Sequence, residues 1–225
     1  MDQTQIFILL LIAMAFATWA QINVKSTFNK YSKQATYSGL TGKDAARMIL
    51  DRNGLSNVRI EETPGELTDH YDPKDNVIRL SKNVYSSTTA AAIGVASHEA
   101  GHAVQHATGY LPVKIRTAII PACQLGSNLA WPLILFGILF SIPSLASIGV
   151  IFFSLATVFQ LVTLPCEFNA SSRAMTALRE SCRLGQEDLD AARKTLTAAA
   201  LTYVAALAVS LLNLLRIIAL VRRRD

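Results

Sequence analysis

Charge is what this 225-residue chain has least of: Asp, Glu, Lys and Arg make up 16% of it, while hydrophobic residues reach 51%. Soluble domains carry roughly a quarter charged residues, so a chain this apolar is not a typical soluble domain. Cysteine is also scarce. Cys123, Cys166 and Cys182 are odd in number and two lie at or in apolar stretches, which leaves no disulfide framework and no C-x-x-C metal signature and implies reduced thiols. Internal repeats and low-complexity linkers are absent. The net charge of +5 comes from scattered Lys and Arg without interleaved aromatics, several of them flanking apolar runs. That pattern argues against a nucleic-acid partner and for membrane-flanking charge.

The missing charge is concentrated in three places: Gln3 to Val24, Thr117 to Cys166 and Thr195 to Leu215 contain none. A membrane helix needs about 20 residues. As one helix, the middle run would measure roughly 75 Å against a hydrocarbon core of about 30 Å, so it must fold into two spans. Ser141, Pro143 and Ser144 mark the break, with spans over about Ile119 to Phe140 and Leu145 to Leu164. Four spans result. The first lacks the basic leader of a cleaved signal peptide. Lys25, Lys30, Lys33, Lys114, Arg116, Arg173, Arg179, Arg183, Arg193 and Lys194 outnumber the opposing Arg222, Arg223 and Arg224, which predicts a cytoplasmic polar side and an external N-terminus.

Between the spans the sequence reads as a small α+β unit. Thr41 is placed to cap a helix with Ala45, Met48, Ile49 and Leu50 at helical spacing, and Gly54 to end it. Val58 to Glu61 and Asn76 to Ser81 have strand character around a Thr63-Pro64-Gly65 turn. The Ser86 to Thr89 cluster precedes an Ala-rich helix over about Ala90 to Ala107, and Glu167 to Lys194 reads as two short helices divided at Gly185.

Histidine is rare as well, four in the chain, yet two of them stand in His98-Glu99-Ala100-Gly101-His102. The i, i+4 spacing puts both imidazoles on one helical face, where they can share a Zn²⁺, with Glu99 beside the metal as general base for an acidified water. A catalytic zinc needs a third protein ligand and an open position. Gln105 and Thr108 occupy the places where a metzincin would continue its motif, so that version is excluded. Glu167, directly after the third span, returns to the same membrane face as the histidines, although an interfacial charge or a helix N-terminal carboxylate is the plainer role for it. Glu180 and Glu187 remain as alternatives. His70 and Tyr71 could donate to a developing oxyanion or merely form a turn under the site, and Arg173 could do the same or pair with lipid phosphate. His106 extends the same helical face as a rival ligand or a solvated side chain.

Leu67-Thr68-Asp69-His70-Tyr71-Asp72-Pro73, Ala96-Ser97-His98-Glu99-Ala100-Gly101-His102-Ala103-Val104-Gln105 and Leu164-Pro165-Cys166-Glu167-Phe168-Asn169-Ala170-Ser171, with Arg173-Ala174, resemble the neutral zinc metallopeptidase family of bacterial membrane proteins, the YugP-like peptidases. More distantly the chain is similar to membrane gluzincins of the HtpX type. The resemblance runs nearly end to end and implies His98, His102 and Glu167 as zinc ligands and Glu99 as catalytic base. Two positions depart from the expected pattern: Asn169 and Ser171 stand where Asp is expected, so a partner of the zinc-binding histidines is either altered or comes from elsewhere.

The expected fold is mainly α and integral to the membrane, with about four transmembrane helices and a small zincin-like α+β catalytic unit. Its parts are a first span at 1–24, a catalytic region at 25–116, a helical hairpin at 117–165, a third-ligand segment at 166–194, a last span at 195–221 and a basic tail at 222–225. The expected function is zinc-dependent hydrolysis of a peptide or membrane-protein substrate at the cell membrane, catalytic side cytoplasmic, with one zinc per chain. The strand Asn76 to Ser81 would pair with an extended substrate. A non-catalytic zinc-binding scaffold or regulator is the alternative. A site-2-type intramembrane protease fits less well, because no Asp occurs in the later spans.

Overall fold

A computed structural model describes residues 3–222. The basic tail expected at 222–225 lies, from Arg223 onward, outside the described residues. Seven helices and three strands follow in the order α1 (Gln3–Tyr31), α2 (Gly42–Arg52), β1 (Arg59–Thr63), β2 (His70–Asp72), β3 (Val77–Ser81), α3 (Lys82–Tyr85), α4 (Ala90–Ala107), α5 (Leu111–Leu139), α6 (Pro143–Glu180) and α7 (Gln186–Arg222). The chain divides into two compact units, one of Met1–Gln21, Lys114–Pro165 and Thr202–Asp225, the other of Ile22–Val113 and Cys166–Leu201.

The first unit carries most of the long apolar sequence. Four helices, Gln3–Tyr31, Leu111–Leu139, Pro143–Glu180 and Gln186–Val221, are long and apolar enough to cross a membrane, so the chain is a mainly α membrane protein. Phe7, Ile12, Trp131, Phe140, Ile151 and Leu161 are exposed, an arrangement that lipid tolerates and water does not. Inside, Ile134, Ala146, Ile217 and Val221 pack together. Thr157 and Ser210 share a hydrogen bond of 2.8 Å. The hairpin turns where expected: Ser141 adopts a left-handed φ of 55°, and the Ile142 amide donates back to the Gly137 carbonyl at 2.8 Å.

Two helices run further than expected. Glu167 is not at a helix start, since α6 continues through Pro165 for 38 residues, and the helix after Gly185 is continuous with the last span as α7. Apolar surroundings explain the first difference. A backbone without water must satisfy its hydrogen bonds internally, so a helix there carries a proline that would stop one in solvent. Pro121 and Pro132 lie inside α5 for the same reason.

The second unit is built on local signals that agree with one another. Thr41 caps α2 in a full capping box with Asp44, and Thr89 caps α4 by accepting from the Ala92 amide. The sheet has the order β1-β3-β2, with β1 parallel to β3 and β2 antiparallel to it. Ile49, Leu50, Val58, Ile78, Leu80 and Val84 form its core with the alanine face of α4. Burying each of the larger side chains stabilises the unit by about 1.5–3 kcal/mol. The expectation that Asn76 to Ser81 pairs with substrate is corrected here: β3 is the central strand, flanked on both sides, and has no free edge to offer. The free edges belong to β1 and to β2, a three-residue strand too short to show as alternation in the sequence.

Candidate metal centre

Alpha helix α4 puts His98 and His102 on one face, with ring centroids 4.6 Å apart, and α6 brings Glu167 to them. His98 Nε2 lies 3.2 Å and His102 Nε2 3.4 Å from the same carboxylate oxygen, Glu167 Oε2. All three ligand atoms fall within 4.8 Å of one another. Zinc bound tetrahedrally at 2.0–2.1 Å separates its ligand atoms by about 3.3 Å, so two imidazole nitrogens and a carboxylate oxygen at these distances fit that ion in both spacing and donor chemistry. The Glu167 side chain is 3% exposed and those of the histidines 14% and 15%, so the carboxylate is buried while both imidazoles keep some contact with the surface.

The close approach of α4 and α6 depends on Gly101. A Cβ there would meet the Ala170 carbonyl oxygen at 2.6 Å, so the glycine within the motif is what lets the two helices bring their ligands together. Each histidine is also held at its other nitrogen. His98 Nδ1 is 3.0 Å from the Ser171 hydroxyl, and His102 Nδ1 is 3.0 Å from Gln105 Oε1. Burial works against protonating His102, but the hydrogen bond to Glu167 and the charge of Glu99 outweigh it and raise its pKa above the ordinary histidine value.

Glu99 is buried and stands outside the ligand group. Its Oε2 accepts the Tyr71 backbone amide at 3.0 Å, so strand β2 holds this carboxylate from the sheet side. Asp69, just before β2, accepts from the Ser81 amide at 2.8 Å. Its pKa is raised chiefly by burial, against the Ser81 hydrogen bonds, with Glu99 adding repulsion.

The remaining expected residues are placed differently from one another. Tyr71 approaches Glu99 with its amide, whereas its hydroxyl donates to Asn76 Oδ1 at 3.1 Å. His70 is exposed, with Nδ1 2.8 Å from the Thr68 carbonyl. Arg173 donates from Nε to Asn169 Oδ1 at 2.8 Å and lies over the Tyr110 ring. His106 packs edge-on against Tyr71 and is outside the ligand group, as are Glu180 and Glu187. Gln105 was given no role at the site from sequence, whereas Ser171 was named as a departure from Asp that bears on a histidine's partner, and it is indeed at His98. The available signal for Gln105 was a polar residue one turn past His102, on the face of the helix that carries both histidines.

Residues 6–222 match the family model described as "Putative neutral zinc metallopeptidase". The chain is 48% identical over 214 residues, 95% of each chain, to "Putative membrane protease YugP" of Bacillus subtilis (strain 168). No solved structure matches it. A family match over nearly the whole length, together with a relative of this identity, shows that the chain belongs to the neutral zinc metallopeptidase family of membrane proteins.

Proposed function

We propose that this protein is a membrane zinc metalloendopeptidase in which His98, His102 and Glu167 hold one zinc and Glu99 is the general base. The observation that carries the proposal is the convergence of His98 Nε2, His102 Nε2 and Glu167 Oε2, with a separate buried carboxylate one residue along the same helix. Zinc, when bound there, supplies an acidified water and polarises a substrate carbonyl. Glu99 takes the proton of the attacking water and returns it to the departing amine. The Tyr71 amide keeps that carboxylate oriented. Asp69 anchors the start of β2 on Ser81.

An extended peptide docks along the outer edge of β2. The support is that β2 lies at the edge of the sheet and its Tyr71 amide is held by Glu99, so a chain pairing with the carbonyl left at that edge runs beside the general base. The catalytic unit faces the cytoplasm, as the excess of Lys and Arg on its flanks favours.

The test is cleavage of an unstructured protein substrate by detergent-purified protein, wild type against Glu99→Gln. Loss of about 100-fold or more in kcat with zinc retained supports the mechanism. Undiminished turnover in Glu99→Gln removes Glu99 from it, and zinc uptake without any cleavage by wild type leaves a metal-dependent scaffold instead.

A further inference from the structure

We infer that Gln105 is a positioning residue that fixes the tautomer of His102 and so aims its Nε2 lone pair at the metal position; the inference rests on the zinc site proposed above. Gln105 is fully buried on α4, one turn beyond His102. One end of its carboxamide lies 2.7 Å from the Cys166 carbonyl and 3.0 Å from Asn169 Oδ1. A backbone carbonyl only accepts, so this end must be the NH₂ group. Asn169 is oriented in the same way: its oxygen receives the Nε–H of Arg173 at 2.8 Å, and a guanidinium only donates.

With its NH₂ thus assigned, Gln105 presents Oε1 to His102 Nδ1 at 3.0 Å. A carbonyl oxygen facing a ring nitrogen accepts a hydrogen bond from it, so Nδ1 carries the proton that Gln105 receives, and Nε2, 3.4 Å from Glu167 Oε2, is the nitrogen whose proton zinc displaces. At His98 the Nδ1 partner is the Ser171 hydroxyl, which either donates or accepts, so that contact does not assign the Nδ1 proton. The chain Arg173, Asn169, Gln105, His102 therefore joins α6 to α4 and gives Asn169 and Arg173 an indirect part in the site. Both contacts use Asn169 only as an acceptor, so Asn preserves here what the expected Asp would supply.

The inference is tested on Gln105→Met, which keeps most of the volume, and on Asn169→Asp, which keeps both acceptor contacts. In metal-free protein carrying Glu167→Ala, which removes the carboxylate that competes for a proton at Nε2, nitrogen-15 NMR of the neutral histidines is expected to show His102 as the Nδ1–H form, with Asn169 intact or as Asn169→Asp. Gln105→Met added to that background should give a mixture of tautomers, and Gln105→Met alone should weaken zinc binding about 10–100-fold in a chelator competition. Gln105→Ala, checked by thermal unfolding, replaces Gln105→Met if the latter fails to fold. An Nε2–H form in Glu167→Ala with Gln105 intact, or an unchanged tautomer when Gln105 is replaced in that background, overturns the inference. The tautomer is read without metal, so a wild type that takes up no zinc would refute the proposed function while leaving this measurement decisive for Gln105.

Discussion

At the scale of single residues, His102 shows how charge is balanced in the site. Its pKa is raised because Glu167 and Glu99 outweigh the opposing effect of burial, and this has opposite consequences with and without metal. A raised folded-state pKa stabilises the metal-free protein fully below the ordinary histidine value, and that contribution is lost as pH rises through the folded value. Zinc needs the ring unprotonated, so its uptake strengthens over the same rise. Thermal unfolding across pH 5–9, with and without zinc, is therefore expected to show a widening gap toward alkaline pH; a gap independent of pH would contradict the account. Gly101 makes a second prediction. The Cβ of Gly101→Ala would press on the Ala170 carbonyl, so we expect a loss of about 1–3 kcal/mol in unfolding experiments and weaker zinc binding. That the two histidines share one face was legible because the i, i+4 spacing on a helix dictates it. Glu167 was reachable only through the order of the spans and the family resemblance. Gln105 was not legible, because its role comes from the Cys166 carbonyl and Asn169 on another helix.

At the scale of elements, β2 matters more than its three residues suggest. Its one outward amide, that of Tyr71, holds Glu99, and Arg79 on β3 ties its end through Asp72 at 3.0 Å. Tyr71→Ala keeps the amide and Tyr71→Pro removes it, at an edge position where proline is tolerated. Proteolysis by Tyr71→Pro is expected to fall about tenfold or more below that of Tyr71→Ala, as for loss of a hydrogen bond to a charged group. Equal rates in the two variants would show that the amide plays no part. The helices α2 and α4 were readable from their caps and apolar spacing. Strand β2 was not, since three residues are too few for a period, and α6 was divided in error because Pro165 breaks a helix in water but not in an apolar setting.

At the scale of the whole molecule, a membrane protein was legible from uncharged length alone, and four helices satisfy that reading. The side on which the catalytic unit stands is open to direct measurement with the natural cysteines. Cys123 and Cys166 are buried and Cys182 is exposed, in the loop between α6 and α7. A membrane-impermeant thiol reagent is expected to spare Cys182 in intact cells and label it after permeabilisation; labelling of intact cells would place that loop outside. The central claim is the three-ligand zinc site, and elemental analysis of purified protein tests it most directly. About one zinc per chain in wild type and clear loss in an equally folded Glu167→Ala variant is the predicted result. No zinc in well-folded, metal-replete wild type, or full retention in Glu167→Ala, would contradict it.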